Sequence, residues 1–185
     1  EAQKEAYLKP AIAGENILSL GITEPNTGSD VASIETTAVK DGDYYVINGN
    51  KMFITNGSFA DTVILAARTS RGGKHRDISV FLLDTSITGF SASRIKKIGH
   101  HMSGTSALSL EDCRIPAHNL LGEEGRGFYA IMNTFQIERL VVSAYALGAA
   151  EKVFEDTLAY VKNRMAFGRP IGKFQVVGHK LAEMA

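Results

Sequence analysis

A single cysteine, Cys113, among 185 residues excludes an internal disulfide and a multi-cysteine metal site, and suits a reducing compartment. Twenty basic side chains balance twenty acidic ones, so no long-range field draws the chain to nucleic acid or to an anionic membrane. No stretch approaches the roughly 20 apolar residues of a membrane span. Residues Glu1 to Lys9 alternate charged and small side chains where a targeting leader would be basic and then apolar. Nor is there a G-x-G-x-x-G after a strand, a P-loop or a Gly-x-Ser-x-Gly, which counts against nicotinamide, nucleotide-hydrolysis and serine-esterase chemistry. His100 and His101 are adjacent and face opposite ways in an extended segment, so no metal site is expected. These absences describe a bacterial cytoplasmic or mitochondrial matrix protein without nucleic-acid partners or a membrane span.

With 44% hydrophobic and 22% charged residues, the chain has the means to bury a real core in one or two domains. It has no initiator methionine and stops at Ala185 inside a helical pattern, so it is expected to be a piece of a longer protein. Residues Glu1 to Tyr7 suit the end of a helix closed by Pro10 and Gly14. Strand signals follow. Tyr44–Ile47 and Met52–Thr55 flank Asn48-Gly49, a dipeptide suited to a type I′ turn, which predicts a β-hairpin. Further strands are expected at Thr62 to Arg68, Ile78 to Asp84 and Ala107 to Leu110, separated by turns such as Ser70-Arg71-Gly72-Gly73. Short strands at this spacing suggest a small barrel or sandwich.

After Pro116 the period changes. Phe128, Ile131, Met132, Phe135, Val142, Tyr145 and Ala149 recur at spacings of three and four, predicting one long helix from near Gly127 to Met165. Gly168-Arg169-Pro170-Ile171-Gly172 should end it, with a second helix beginning near Lys173.

Three places carry possible chemistry. The segment Thr23 to Asp30 combines hydroxyls, Gly28 and exposed N–H groups, and so suits a polyphosphate or a polar ring edge. Composition alone favours a plain surface turn. Phe53 and Thr55 share one face of a strand and suit a planar cofactor, although a core aromatic beside a good strand former is the reading that composition by itself favours. Glu138 has Thr134, Phe135, Val141 and Val142 one turn away and no cation among them. A carboxylate desolvated in an apolar stripe is tuned toward a base near neutral pH; a pair with another helix, or a wet edge, is the alternative. Arg139 points about 100° around the helix from Glu138 and suits an anion or another helix's carboxylate. Arg164, at the helix end, suits capping or phosphate pairing.

Taken in order, four blocks carry a resemblance. They are Leu20-Gly21-Ile22-Thr23-Glu24-Pro25 with Gly28-Ser29-Asp30, then Asn48-Gly49-x-Lys51-x-Phe53-Ile54-Thr55-Asn56. Next come Cys113-Arg114-Ile115-Pro116 with Asn119-Leu120-Leu121-Gly122 and Gly125-x-Gly127-Phe128, and finally Asn163-Arg164-x-Ala166-Phe167-Gly168-x-Pro170-Ile171 with Gln175. Together they resemble the acyl-CoA dehydrogenase family over nearly the whole chain, and the conjunction displaces the plain readings of the first two places.

The resemblance implies a multi-domain α+β fold: the last helix of an N-terminal helical domain that is mostly missing (1–16), a central β-barrel or sandwich domain (17–122), and the first part of a C-terminal four-helix bundle (123–185). It implies FAD, with Leu20, Ile22, Thr23 and Ser29 lining the flavin and Ser29 also near the CoA arm. Phe53, Ile54 and Thr55 would lie against the ring, Phe53 standing where the family often has tryptophan. Arg164, Phe167 and Gln175 would reach the FAD of a neighbouring subunit in a homotetramer built as a dimer of dimers. The implied reaction is α,β-dehydrogenation of an acyl-CoA to the trans-2-enoyl-CoA in fatty acid β-oxidation, with electrons passed to electron-transfer flavoprotein. Glu138-Arg139-Leu140 matches the motif that carries the base in the isovaleryl-CoA and long-chain branches; elsewhere the base lies in the C-terminal region. Gln136, where many members have aspartate, and Arg139 are the remaining substrate-side candidates. Acyl-CoA oxidases, nitroalkane oxidases and flavin monooxygenases share some of these blocks, and a catalytically silent DNA-binding flavoprotein is the rival from another class.

Overall fold

Alternating and continuous apolar runs in the first two thirds of the chain become strands, and the 3.6-residue period of the last third becomes helix. A computed structural model describes residues 1–185. A π-helical turn, Lys4–Leu8, leads into α1 (Lys9–Ala13). The strands are β1 (Leu18–Gly21), β2 (Thr37–Asp41), β3 (Tyr44–Thr55), β4 (Thr62–Arg68), β5 (Ile78–Asp84), β6 (Phe90–Arg94), β7 (Thr105–Pro116) and β8 (Leu120–Leu121). Then come α2 (Gly127–Asn163), the short hairpin β9 (Met165–Ala166) and β10 (Arg169–Pro170), and α3 (Gln175–Met184). The chain divides into two compact units, 1–132 and 133–185. No helix is long and apolar enough to cross a membrane.

In the first unit one sheet runs β6-β7-β3-β2-β4-β5-β8, with β1 parallel to β4. Tyr45 of β3 and Phe81 of β5 meet edge to face at 4.9 Å although two strands separate theirs in the sheet. Leu108, Leu110, Val63, Leu65 and Leu83 join them in one buried cluster, so the sheet curls around its own core as a barrel-like domain does.

The expected hairpin at Asn48-Gly49 does not form. β3 runs unbroken from Tyr44 to Thr55, and the turn into it is Gly42-Asp43, with Asp41 paired to Tyr44 and Gly42 at φ 57°. Asn48 instead faces a β7 bulge, where its side chain accepts the Asp112 N–H at 2.8 Å and donates to the Asp112 carboxylate at 2.9 Å. Asp112 is held at φ 50° there. Gly49 is needed for close approach: a Cβ on it would stand 2.7 Å from the Thr36 Cα. The type I′ pattern appears at Phe167-Gly168, between β9 and β10, with φ of 52° and 77°. α2 thus ends at Asn163, and the segment expected to terminate it is a hairpin leading to α3. Pro10 does not close the first helix; it sits in the first turn of α1, where no N–H is required, and Gly14 at φ 75° closes it.

Candidate functional site

Lysine at an inward-facing strand position needs a carboxylate partner, and β3 supplies such a position. Tyr45, Ile47 and Lys51 fall on the odd, core-facing side of β3, and Lys51 is wholly buried. Its ammonium donates to Glu24 Oε1 at 2.8 Å and to the Ile22 carbonyl at 3.1 Å. The Glu24 carboxylate also accepts the N–H groups of Glu35 at 2.6 Å and Thr36 at 3.0 Å. Both residues lie inside quoted blocks, yet sequence reasoning gave neither a role. The strand alternation around Lys51 was the signal.

Burial pushes the Lys51 ammonium down to about 8, against the pull of Glu24. Burial by itself would raise the Glu24 carboxyl, but Lys51 and the Thr36 and Glu35 donors outweigh it and hold it below the usual carboxylate range. Between about 8 and 10.5 the unfolded chain therefore binds a proton at Lys51 that the folded chain does not, so stability rises with pH across that window. Urea unfolding followed through this window should show the rise in wild type and its loss in Lys51→Met.

One residue beyond Lys51 the strand bulges. Met52 and Phe53 occupy the space between the Lys51–Leu108 and Ile54–Ser106 pairs, where β7 offers only Ala107, and Phe53 takes φ 61°. The bulge turns Ile54 into the core and leaves Phe53 63% exposed, with Thr55 exposed beside it. Of the expected ring contacts, Phe53 and Thr55 therefore present side chains to the surface. The Ile54 side chain belongs to the core, at 2% exposure, and its carbonyl accepts the Gly57 N–H at 3.2 Å, so the expected ring contact is not made by this side chain. Ile22 is likewise buried, Leu20 and Thr23 are half-buried, and Ser29 is exposed. The Met52 N–H donates to the Thr23 carbonyl at 2.8 Å, which seats the Thr23 turn beside the bulge. The hydroxyls of Thr23, Ser29 and Thr55 have no partner within the chain. An outward aromatic ring flanked by open hydroxyls fits a planar heteroaromatic cofactor with a polar edge.

The second unit presents its own candidates. Phe135, Glu138, Arg139, Val142 and Ser143 line one shallow groove on α2, so Arg139 borders the same depression as Glu138 despite pointing elsewhere around the helix. The apolar neighbours expected to bury Glu138 are themselves open: Val141, Val142 and Tyr145 are exposed and Phe135 is half-buried, and Ile137, Leu140 and Leu147 on the other sides of α2 are exposed as well. Glu138 and Gln136 are exposed with them. Desolvation of Glu138 is thus not supplied by these 185 residues. Arg164, Phe167 and Gln175 are exposed around the β9–β10 hairpin, and Arg164 makes no side-chain cap on α2. Phe167 meets Phe174 edge to face at 6.2 Å, and the Arg169 guanidinium lies 4.2 Å over the Phe174 ring.

Residues 19–113 match the model of the acyl-CoA dehydrogenase middle domain, and residues 125–185 that of the acyl-CoA dehydrogenase C-terminal domain. A short-chain-specific acyl-CoA dehydrogenase of Clostridium acetobutylicum is 43% identical over 185 residues, covering 100% of this chain and 49% of that protein. The mitochondrial isovaleryl-CoA dehydrogenase of Pongo abelii is 43% identical over 187 residues, covering 100% of this chain and 44% of the relative. A crystal structure of acyl-CoA dehydrogenase from Geobacillus kaustophilus superposes with a TM-score of 0.94 at 47% identity, covering 100% of this chain and 49% of that one. The chain spans about half the length of the curated relatives it matches.

Proposed function

The chain belongs to the acyl-CoA dehydrogenase family, and from that membership we propose that it is the central and following part of a flavoenzyme that converts an acyl-CoA to its trans-2-enoyl-CoA. The observation that carries this reading is the match of both domain models, in order, to the two parts of the chain. The outward Phe53 and the open hydroxyls of Thr23 and Thr55 support a flavin edge on the first unit.

When bound, FAD supplies the acceptor for the hydride that leaves the β-carbon. The chain's own residues do the rest. Thr23 and Thr55 would offer hydroxyls to the ring edge, Phe53 would offer a face, and Ser29 would meet the pyrophosphate and the CoA arm. Glu138 takes the α-proton, and Arg139 and Gln136 border the substrate. An α-proton of a thioester is acidic only when its carbonyl oxygen is stabilised in the transition state, so donors must face that oxygen. Water must be excluded while the two C–H bonds break. The exposed apolar stripe of α2 supports a cover supplied by further helices and by further copies of the chain in a homotetramer. Electron-transfer flavoprotein is the proposed electron acceptor, and the bacterial cytoplasm or mitochondrial matrix the proposed setting.

Anaerobic addition of a panel of acyl-CoAs to the full-length protein tests the reading. Flavin absorbance should bleach, fastest with the preferred acyl class. An oxidised flavin that no acyl-CoA bleaches would rule out the dehydrogenase.

A further inference from the structure

Three segments of the first unit meet at Lys51. It is the largest fully buried side chain of the domain, it is charged, and neither expected half of the chemistry uses it. Its ammonium holds the residues on both sides of Thr23 at once, through the Ile22 carbonyl and the Glu24 carboxylate. Thr23 itself is tied through its own carbonyl to Met52, the first residue of the bulge and the neighbour of Lys51. On its far side Glu24 gathers the Glu35 and Thr36 N–H groups at the entrance to β2, and Thr36 packs on Gly49 of the same β3 strand. One ion pair therefore joins the exit of β1, the bulge of β3 and the start of β2.

We propose that the Lys51–Glu24 pair is a positioning latch that fixes the Ile22-Thr23 turn against the Met52-Phe53 bulge and so sets the edge on which the flavin ring is held. The cofactor part of this inference rests on the flavin reading above. An apolar pair would fill the same volume, but it would leave the Ile22 carbonyl and the Glu35 and Thr36 N–H groups without partners. Buried ion pairs are often neutral or unfavourable for stability against such replacements, so the role of this one is direction and not strength. Here the direction is that of Thr23: with its neighbours and its carbonyl held, its hydroxyl is the group left over.

Hydrogen exchange on the full-length apoprotein, together with FAD titration, tests the latch. Lys51→Met leaves Glu24 buried and unpaired, so the informative variant is Lys51→Met/Glu24→Gln, which carries no buried charge and keeps an acceptor at position 24. The latch predicts that the Met52, Glu35 and Thr36 amides exchange about tenfold faster in the double variant, while amides shared by β4 and β5 keep their protection. FAD affinity should fall about tenfold alongside, with a shifted flavin absorption band. Unchanged exchange at the three amides, or an equal rise across β4 and β5, would overturn the latch. Faster local exchange with unchanged FAD affinity and spectrum would overturn its positioning role. A wild-type protein that binds no FAD would sink the flavin reading, and the exchange arm would still decide the latch.

Discussion

Glu138→Gln in the full-length protein should slow flavin reduction by its preferred acyl-CoA by about 10²–10⁴-fold, the usual contribution of a positioned general base. Glutamine keeps the size and polarity of the side chain but cannot accept the α-proton, so acyl-CoA binding should persist while the reduction step fails. Anaerobic stopped-flow absorbance separates the two, since an acyl-CoA-dependent perturbation of the oxidised flavin spectrum reports binding and the bleaching of that spectrum reports chemistry. A rate equal to wild type would place the base in the C-terminal region beyond this chain. Glu138 has no cation one turn away on α2, and its carboxylate borders a groove whose other walls are Phe135, Arg139, Val142 and Ser143.

Lys51→Met should cost the domain about 3–5 kcal/mol, the penalty for stranding the partner of a buried ion pair. Glu24 is only 5% exposed and would keep its bonds from Glu35 and Thr36 while losing the ammonium that neutralises it. Adding Glu24→Gln removes that buried charge and should recover most of the loss. Urea unfolding of wild type, single and double variants measures the series, and the coupling between the two positions is the difference between the double variant and the sum of the singles. Equal losses in the single and double variants would show that the Lys51 stem, rather than its charge, is what the core requires.

The placement of Phe53 and Lys51 explains why one was legible and the other was not. Phe53 and Thr55 were expected to share a face, and both are exposed, yet a regular strand would have put them on the same side as Lys51. The bulge at Met52-Phe53 reverses the alternation, so that Lys51 and Ile54 both point inward three residues apart. Nothing local announces that bulge. It exists because β7 offers one residue where β3 offers two.

Local chemistry was enough to determine the strands Thr62–Arg68 and Ile78–Asp84, the long helix from Gly127, and the order of the family's blocks, because side-chain period and turn-forming residues act over a few positions. Asn48-Gly49 shows the limit of such rules. The dipeptide has the conformational freedom of a hairpin turn, but it lies within β3 because its neighbours in space, Asp112 and Thr36, use that freedom for a bulge and a close approach. Only tertiary structure decided which buried lysine meets which carboxylate 27 residues away, and that the apolar stripe around Glu138 stands open. Pairing and burial are set by groups distant along the chain, so their physical cause lies in the fold and not in any short run of residues.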